Sequence, residues 1–196
     1  IVGIWGMSFD GGTLVFPLSY IFGDVLTEVY GYGRTRRVIW LGFFWALILS
    51  LVIMLISVLP PAGDWPYNEA FKNVLGLTPR IVGASLVAFL VGSFSNSIIM
   101  SRMKVIFKGR FLWLRTIGST IVGEGLDTVI FVLVAFWGIL PFNLIVSIII
   151  FNYIFKCGVE ILFTPVTYKM VNFLKRKEKI DVYDKKVSYN PLGFSD

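Results

Sequence analysis

Hydrophobic positions fall into five long runs, roughly 12–32, 38–59, 81–101, 116–140 and 143–170, with most polar residues gathered between them. About 20 mostly apolar residues make a helix long enough to cross the hydrocarbon core of a bilayer, so the pattern predicts five transmembrane helices. The fifth run is long enough to carry its helix out of the membrane. Between the second and third runs lies LPPAGDWPYNEAFKNVLGLTPR, where Pro60, Pro61, Pro66 and Pro79 interrupt helical structure. Within it, Asn68 to Leu75 is predicted to form a short interfacial helix, with Trp65 and Tyr67 as anchors at the membrane boundary. No fixed-period repeat and no long linker marks a second globular unit. Residues 1–170 therefore read as one transmembrane helical domain, and 171–196 as a solvated or partly disordered tail.

Composition supports a polytopic membrane protein. The 196 residues are 56% hydrophobic with a mean hydropathy of +0.78, against about 45–50% apolar residues in soluble domains. Histidine is absent and Cys157 is the single cysteine. A disulfide framework, a Cys/His zinc site and a His-based catalytic triad are thereby excluded within one chain, so neither an enzyme, a metal site nor a cofactor is expected. The net charge of +6 does not point to nucleic acid, because Lys and Arg are mostly confined to short loops and the tail.

Their distribution sets the expected orientation. Arg34, Arg36 and Arg37 follow the first run; Arg102, Lys104, Lys108, Arg110 and Arg115 follow the third; Lys175 to Lys186 crowd the tail. The other two connections carry little or no net positive charge. By the positive-inside rule the basic loops and the C-terminus are cytoplasmic, which places Ile1 outside. IVGIWGMSFD lacks the features of a signal peptide, and a sixth helix upstream is expected to return the terminus to the cytoplasm.

Apart from Lys169 at the very end of the fifth run, six charged residues nevertheless lie within the runs: Asp24, Glu28, Glu124, Asp127, Lys156 and Glu160. Exposed to lipid at the bilayer centre they would cost on the order of 15–20 kcal/mol together, so they must face an interior, pair, or take up protons. Helical spacing places them on shared faces. Tyr20, Asp24, Glu28 and Gly31 form one stripe, Thr120, Glu124, Asp127 and Thr128 a second, and Asn152, Lys156 and Glu160 a third. Ser85, Gly92, Ser93 and Asn96 give a milder one. Four polar sides imply one shared central site. Five carboxylates against one lysine exceed what helix packing explains, although Glu28 and Glu160 are placed to meet water at helix ends.

The stretches FPLSYIFGDVLTEVYGYGRTRR, GSFSNSIIMSRMK, KGRFLWLRTIGSTIVGEGLDTVIF and NYIFKCGVEILFTPVTYKM, in this order, resemble the queuosine precursor transporter family, also called the vitamin uptake transporter family. The resemblance implies an all-α bundle of six transmembrane helices, five of them visible here with an N-terminal remnant, in the cell inner membrane. It also implies import of the 7-deazaguanine bases preQ0 and preQ1, precursors of the modified tRNA base queuosine. Such a base presents N1–H and a 2-amino group side by side, a donor pair that one carboxylate accepts in two-pronged fashion. Lys156, Asn96 or Asn152 would serve its acceptors, and Tyr20, Phe131 or Tyr153 would stack on its face. A cationic 7-aminomethyl group suits a second carboxylate.

Asp24, Asp127 and Lys156 are therefore the expected centre of a substrate site worked by alternating access, with Glu28, Asn96, Glu124, Asn152 and Tyr20 in support. The ligand and the lipid bilayer are the expected partners, and the sequence leaves a homodimer open. The alternative reading is a substrate-capture subunit of an ATP-driven vitamin or nucleobase uptake complex, for which Ala84 and Ala88 offer a small-residue face.

Overall fold

The computed structural model describes residues 2–4, 7–9, 16–75 and 79–193. A short antiparallel hairpin, β1 (Val2–Ile4) and β2 (Met7–Phe9), pairs Val2 with Phe9 and Ile4 with Met7. Among the described residues six helices follow: α1 (Phe16–Tyr30), α2 (Tyr32–Val58), α3 (Asn68–Leu75), α4 (Pro79–Ile106), α5 (Leu112–Phe136) and α6 (Phe142–Glu178). The interfacial helix expected at Asn68 to Leu75 is α3, where the rings of Trp65 and Phe71 meet edge to face at 5.7 Å.

Among the described residues, α2, α4, α5 and α6 are long and apolar enough to cross a membrane. Helix α1 differs from the full span expected over 12–32. Its 15 residues reach only about 22 Å at 1.5 Å per residue, short of the roughly 30 Å hydrocarbon core. Residues 12–15 of that expected span lie outside the described residues. From Tyr20 to Val29 most of α1 is buried, packed against α4 and α6.

The inside and outside of this bundle are inverted relative to a soluble protein. Leu41, Phe44, Trp45, Leu49 and Leu55 on α2 are each more than half exposed, while Asp24, Glu28, Arg36, Arg115, Glu124 and Glu160 are almost fully buried. Lipid solvates the first set at no cost, and the second must be satisfied by protein. The chain is an all-α, multi-pass membrane protein.

Three connections differ from expectation. Arg34, Arg36 and Arg37 do not form a loop: the chain breaks only at Gly31 and Arg36 lies buried in α2. Gly31 has φ +80°, and a Cβ there would sit 2.7 Å from Asp184 Oδ1 and 2.8 Å from Val182 Cγ1, so the break depends on a residue without a side chain. Lys104 and Arg115 also leave the expected loop, because α4 runs to Ile106 and α5 starts at Leu112. Finally, the tail up to residue 193 is not a free end. It folds back over the α1–α2 break, where Asp184 accepts from Tyr32 N at 2.8 Å and Ser101 Oγ at 2.6 Å. Arg36 donates to the carbonyls of Ser188 and Asn190.

Candidate functional site

Helices α4 and α5 pack closely along their length, and glycine lets their backbones approach. A Cβ on Gly92 would lie 2.8 Å from Asp127 Cβ and 3.0 Å from the Gly123 carbonyl oxygen; one on Gly123 would lie 2.7 Å from Asn96 Cβ. The Tyr20 ring from α1 fills the crevice beside both glycines. Backbone proximity therefore brings Asn96 of α4 and the acids of α5 onto Tyr20 and Asp24 of α1.

Around this contact the polar stripes converge. Lys156 of α6 donates to Asp127 Oδ2 at 2.8 Å and to Thr128 Oγ1 at 3.4 Å, and lies 3.1 Å from Glu124 Oε2. Asn96 Nδ2 donates to Asp24 Oδ1 at 2.6 Å. Asn152 is buried one turn before Lys156. Asp24, Glu124, Asp127 and Glu160 all have at most 4% of their surface exposed. Several atoms in this group have no hydrogen-bond partner: Asp24 Oδ2, Asn96 Oδ1, Glu124 Oε1 and both oxygens of Glu160. All of these are acceptors, whereas Thr120 Oγ1, also without a partner among the described residues, can act either way. Acceptors outnumber donors in the site.

The structure brings together Tyr20, Asp24, Asn96, Glu124, Asp127, Asn152 and Lys156, each buried as the stripes required. Of the three rings considered for stacking, Tyr20 is buried, whereas Phe131 and Tyr153 are half-exposed and Tyr153 donates to the Ile121 carbonyl at 3.0 Å. Ser85 faces outward and Ser93 is half-buried, so the inner line of α4 is Ala84, Ala88, Gly92 and Asn96. Ala84 and Ala88 are buried within this chain.

Glu28 belongs to a second cluster. Rather than meeting water it is 1% exposed, gripped by both guanidinium arms of Arg115, by Lys175 at 2.6 Å and by Lys104 at 3.7 Å. Lys104 and Lys175 also hold Asp181 of the returning tail at 2.5 and 2.9 Å. Sequence reasoning missed these cations because it counted them as loop charges. The signal was present in the spacing: Arg115, Ser119, Gly123 and Asp127 recur every four residues, as do Ser97 and Ser101, with Lys104 three further on. Glu160 is likewise buried, in the middle of α6 rather than at a helix end.

Burial alone would raise the Asp181 carboxyl, but hydrogen bonds and charge from Lys104 and Lys175 hold it below the usual carboxylate range. A depressed carboxylate stabilises the fold above its unfolded value, about 3.9, and that contribution disappears as pH falls through the lower folded value. The tail contact is expected to be constant near neutrality and to loosen only in strong acid. Hydrogen exchange of residues 180–190, corrected for intrinsic rates, should show this; Asp181→Asn should be loose at every pH, and equal protection in both proteins would count against the contact.

The description "Putative vitamin uptake transporter" is that of the family model matching residues 10–170. The chain belongs to this family. It is 32% identical over 179 residues to the probable queuosine precursor transporter of Bacillus subtilis (strain 168), covering 91% of this chain and 78% of the relative. It is 29% identical over 136 residues to the queuosine precursor transporter of Escherichia coli (strain K12), covering 69% of this chain and 59% of the relative, so it spans less than two thirds of that protein. A third relative, the probable queuosine precursor transporter of Haemophilus influenzae, is 28% identical over 178 residues. No solved structure matches. The family is one of transporters rather than enzymes, and the matched region contains both buried clusters except Lys175 and Asp181.

Proposed function

We propose that this chain imports a queuosine precursor, preQ0 or preQ1, across the cell inner membrane by alternating access, with Asp24, Asp127 and Lys156 central to the site. The observation that carries this reading is the donor deficit of the buried site. A 7-deazaguanine supplies several N–H donors, on its guanine edge and, in preQ1, on its aminomethyl group, which Asp127 and the unpartnered oxygens of Asp24, Asn96 and Glu124 would share in accepting. Lys156 holds Asp127 and Glu124 in place and offsets part of their charge, so the empty site is not a set of bare carboxylates. Tyr20, walled in by Gly92 and Gly123, offers a ring for stacking. The relatives' names agree with this ligand class. In this reading the Arg102–Arg115 segment and the C-terminal tail are cytoplasmic.

Purified protein alone in liposomes is expected to take up preQ0 and preQ1 but not guanine nucleotides. Binding without uptake would favour a capture subunit that needs a separate ATP-driven module, and binding of neither base would end the proposal. For orientation, cysteines at positions 108 and 185 should resist membrane-impermeant thiol reagents in intact cells while one at position 68 reacts; the reverse pattern would overturn the map.

A further inference from the structure

Within the site, Glu160 stands apart. Asp127 and Glu124 have Lys156 at 2.8 and 3.1 Å, and Asp24 has the Asn96 amide at 2.6 Å. Glu160, 1% exposed, has neither a cation nor a hydrogen-bond donor on either oxygen among the described residues. It is the electrostatic neighbour of Asp24 across the α1–α6 contact and of Glu124 across α5–α6.

Four buried carboxyls here face one ammonium, that of Lys156. A carboxylate buried without a partner costs several kcal/mol, and in practice such a group neutralises instead. The other groups facing this region do not alter that balance. Tyr20 and Asn96 are neutral, Cys157 follows Lys156 on α6, and Arg115 is consumed by Glu28. No set of acidic side chains among the described residues is arranged to hold a metal ion. What remains is the smallest cation.

We propose that Glu160 is a proton-binding site, that it adjoins the ligand-reading group through its electrostatic neighbour Asp24, and that it couples ligand movement to protons. A proton on Glu160 removes one negative charge. It also converts an orphaned acceptor into a donor, which the unpartnered oxygens of Asp24 and Asn96 lack. The two helices that share the pair, α1 and α6, are tied elsewhere by Glu28 and Lys175 at 2.6 Å. Protonation therefore adjusts the repulsion between α1 and α6 at the level of this pair. The coupling half of the inference rests on the transporter reading; the proton half does not.

The experiment has one arm for each half. In ligand-free detergent-solubilised protein at neutral pH, infrared difference spectra between H2O and D2O should contain the C=O stretch of a protonated buried carboxyl. Glu160→Gln should abolish it and Glu124→Gln should leave it. If Glu160→Gln fails to fold, Glu160→Asp should retain a shifted band. An unchanged band in Glu160→Gln, or no band in the parent, overturns the proton site. In liposomes, an acid-outside gradient should drive preQ0 accumulation by the parent, whereas Glu160→Gln should only equalise the ligand on the two sides. A gradient response in Glu160→Gln like that of the parent overturns the coupling, as does a Glu160→Gln variant that loses preQ1 binding while keeping preQ0, because Glu160 would then serve the ligand's own cation. Should the parent bind neither base, the ligand reading fails while the infrared result still decides the proton site.

Discussion

Arg115→Met is expected to lower the thermal unfolding midpoint in detergent more than any single change at the ligand-reading group. Arg115 is fully buried, holds Glu28 with both guanidinium arms, and donates to the carbonyls of Arg110 at 3.0 Å and Gly109 at 3.1 Å. Methionine fills much of the same space but leaves two carbonyls unpartnered and weakens the neutralisation of Glu28. Removing one partner of a buried ion pair costs about 3–5 kcal/mol, and here Lys175 and Lys104 keep the effect toward the lower end. Arg115→Lys should recover little, since an ammonium cannot reproduce the fork that reaches carboxylate and carbonyls together. The pairing itself is tested by Glu28→Gln alone and combined with Arg115→Met. The double variant should be clearly more stable than the sum of the singles predicts. Additive effects, or a parent-like midpoint for Arg115→Met, would show that the cluster does not hold the bundle together.

Asp127→Asn is expected to weaken binding of preQ0 and preQ1 alike. Asp127 is the most accessible of the four acids around Lys156, at 4% exposed, and it shares that lysine with Glu124. Asparagine keeps the shape but turns an NH2 toward a ligand donor. Loss of one charge-assisted contact costs about 1.5–3 kcal/mol, roughly tenfold to 150-fold in affinity. Glu124→Gln should instead hurt the cationic preQ1 far more than the neutral preQ0. Titration of both bases against both variants separates the two roles. If Asp127→Asn binds both bases like the parent, the guanine edge is read elsewhere, and Asp24 is the next residue to replace.

Much of this protein is legible from local pattern. Apolar run length is a property of consecutive residues, and it located α2, α4, α5 and α6, whose ends lie one to eight positions from the spans drawn from hydropathy. Helical spacing placed Glu124 with Asp127, and Asn152 with Lys156 and Glu160, on buried faces, because a helix fixes which side chains share a side whatever its surroundings. The surplus of acids over lysines inside the runs was visible too.

Which acid meets which cation was decided only in three dimensions. Glu28 and Lys175 are 147 positions apart, and Lys156 and Asp127 are 29 apart. Nothing in spacing distinguishes the acid that finds three cations from the one that finds none. Charge counting assigned Lys104 and Arg115 to water because it treats every basic residue beyond an apolar run as solvated. The folded chain buries both, since α4 and α5 extend past the apolar segments, where Lys104 meets the returning tail and Arg115 meets Glu28. The tail itself, polar enough to read as free, is held by Asp184, Arg36 and the Trp40 indole, which donates to the Pro191 carbonyl at 2.8 Å. Hydropathy reports the cost of leaving water for each residue alone; the partners that offset this cost are contributed by distant segments, and only the tertiary structure brings them into place.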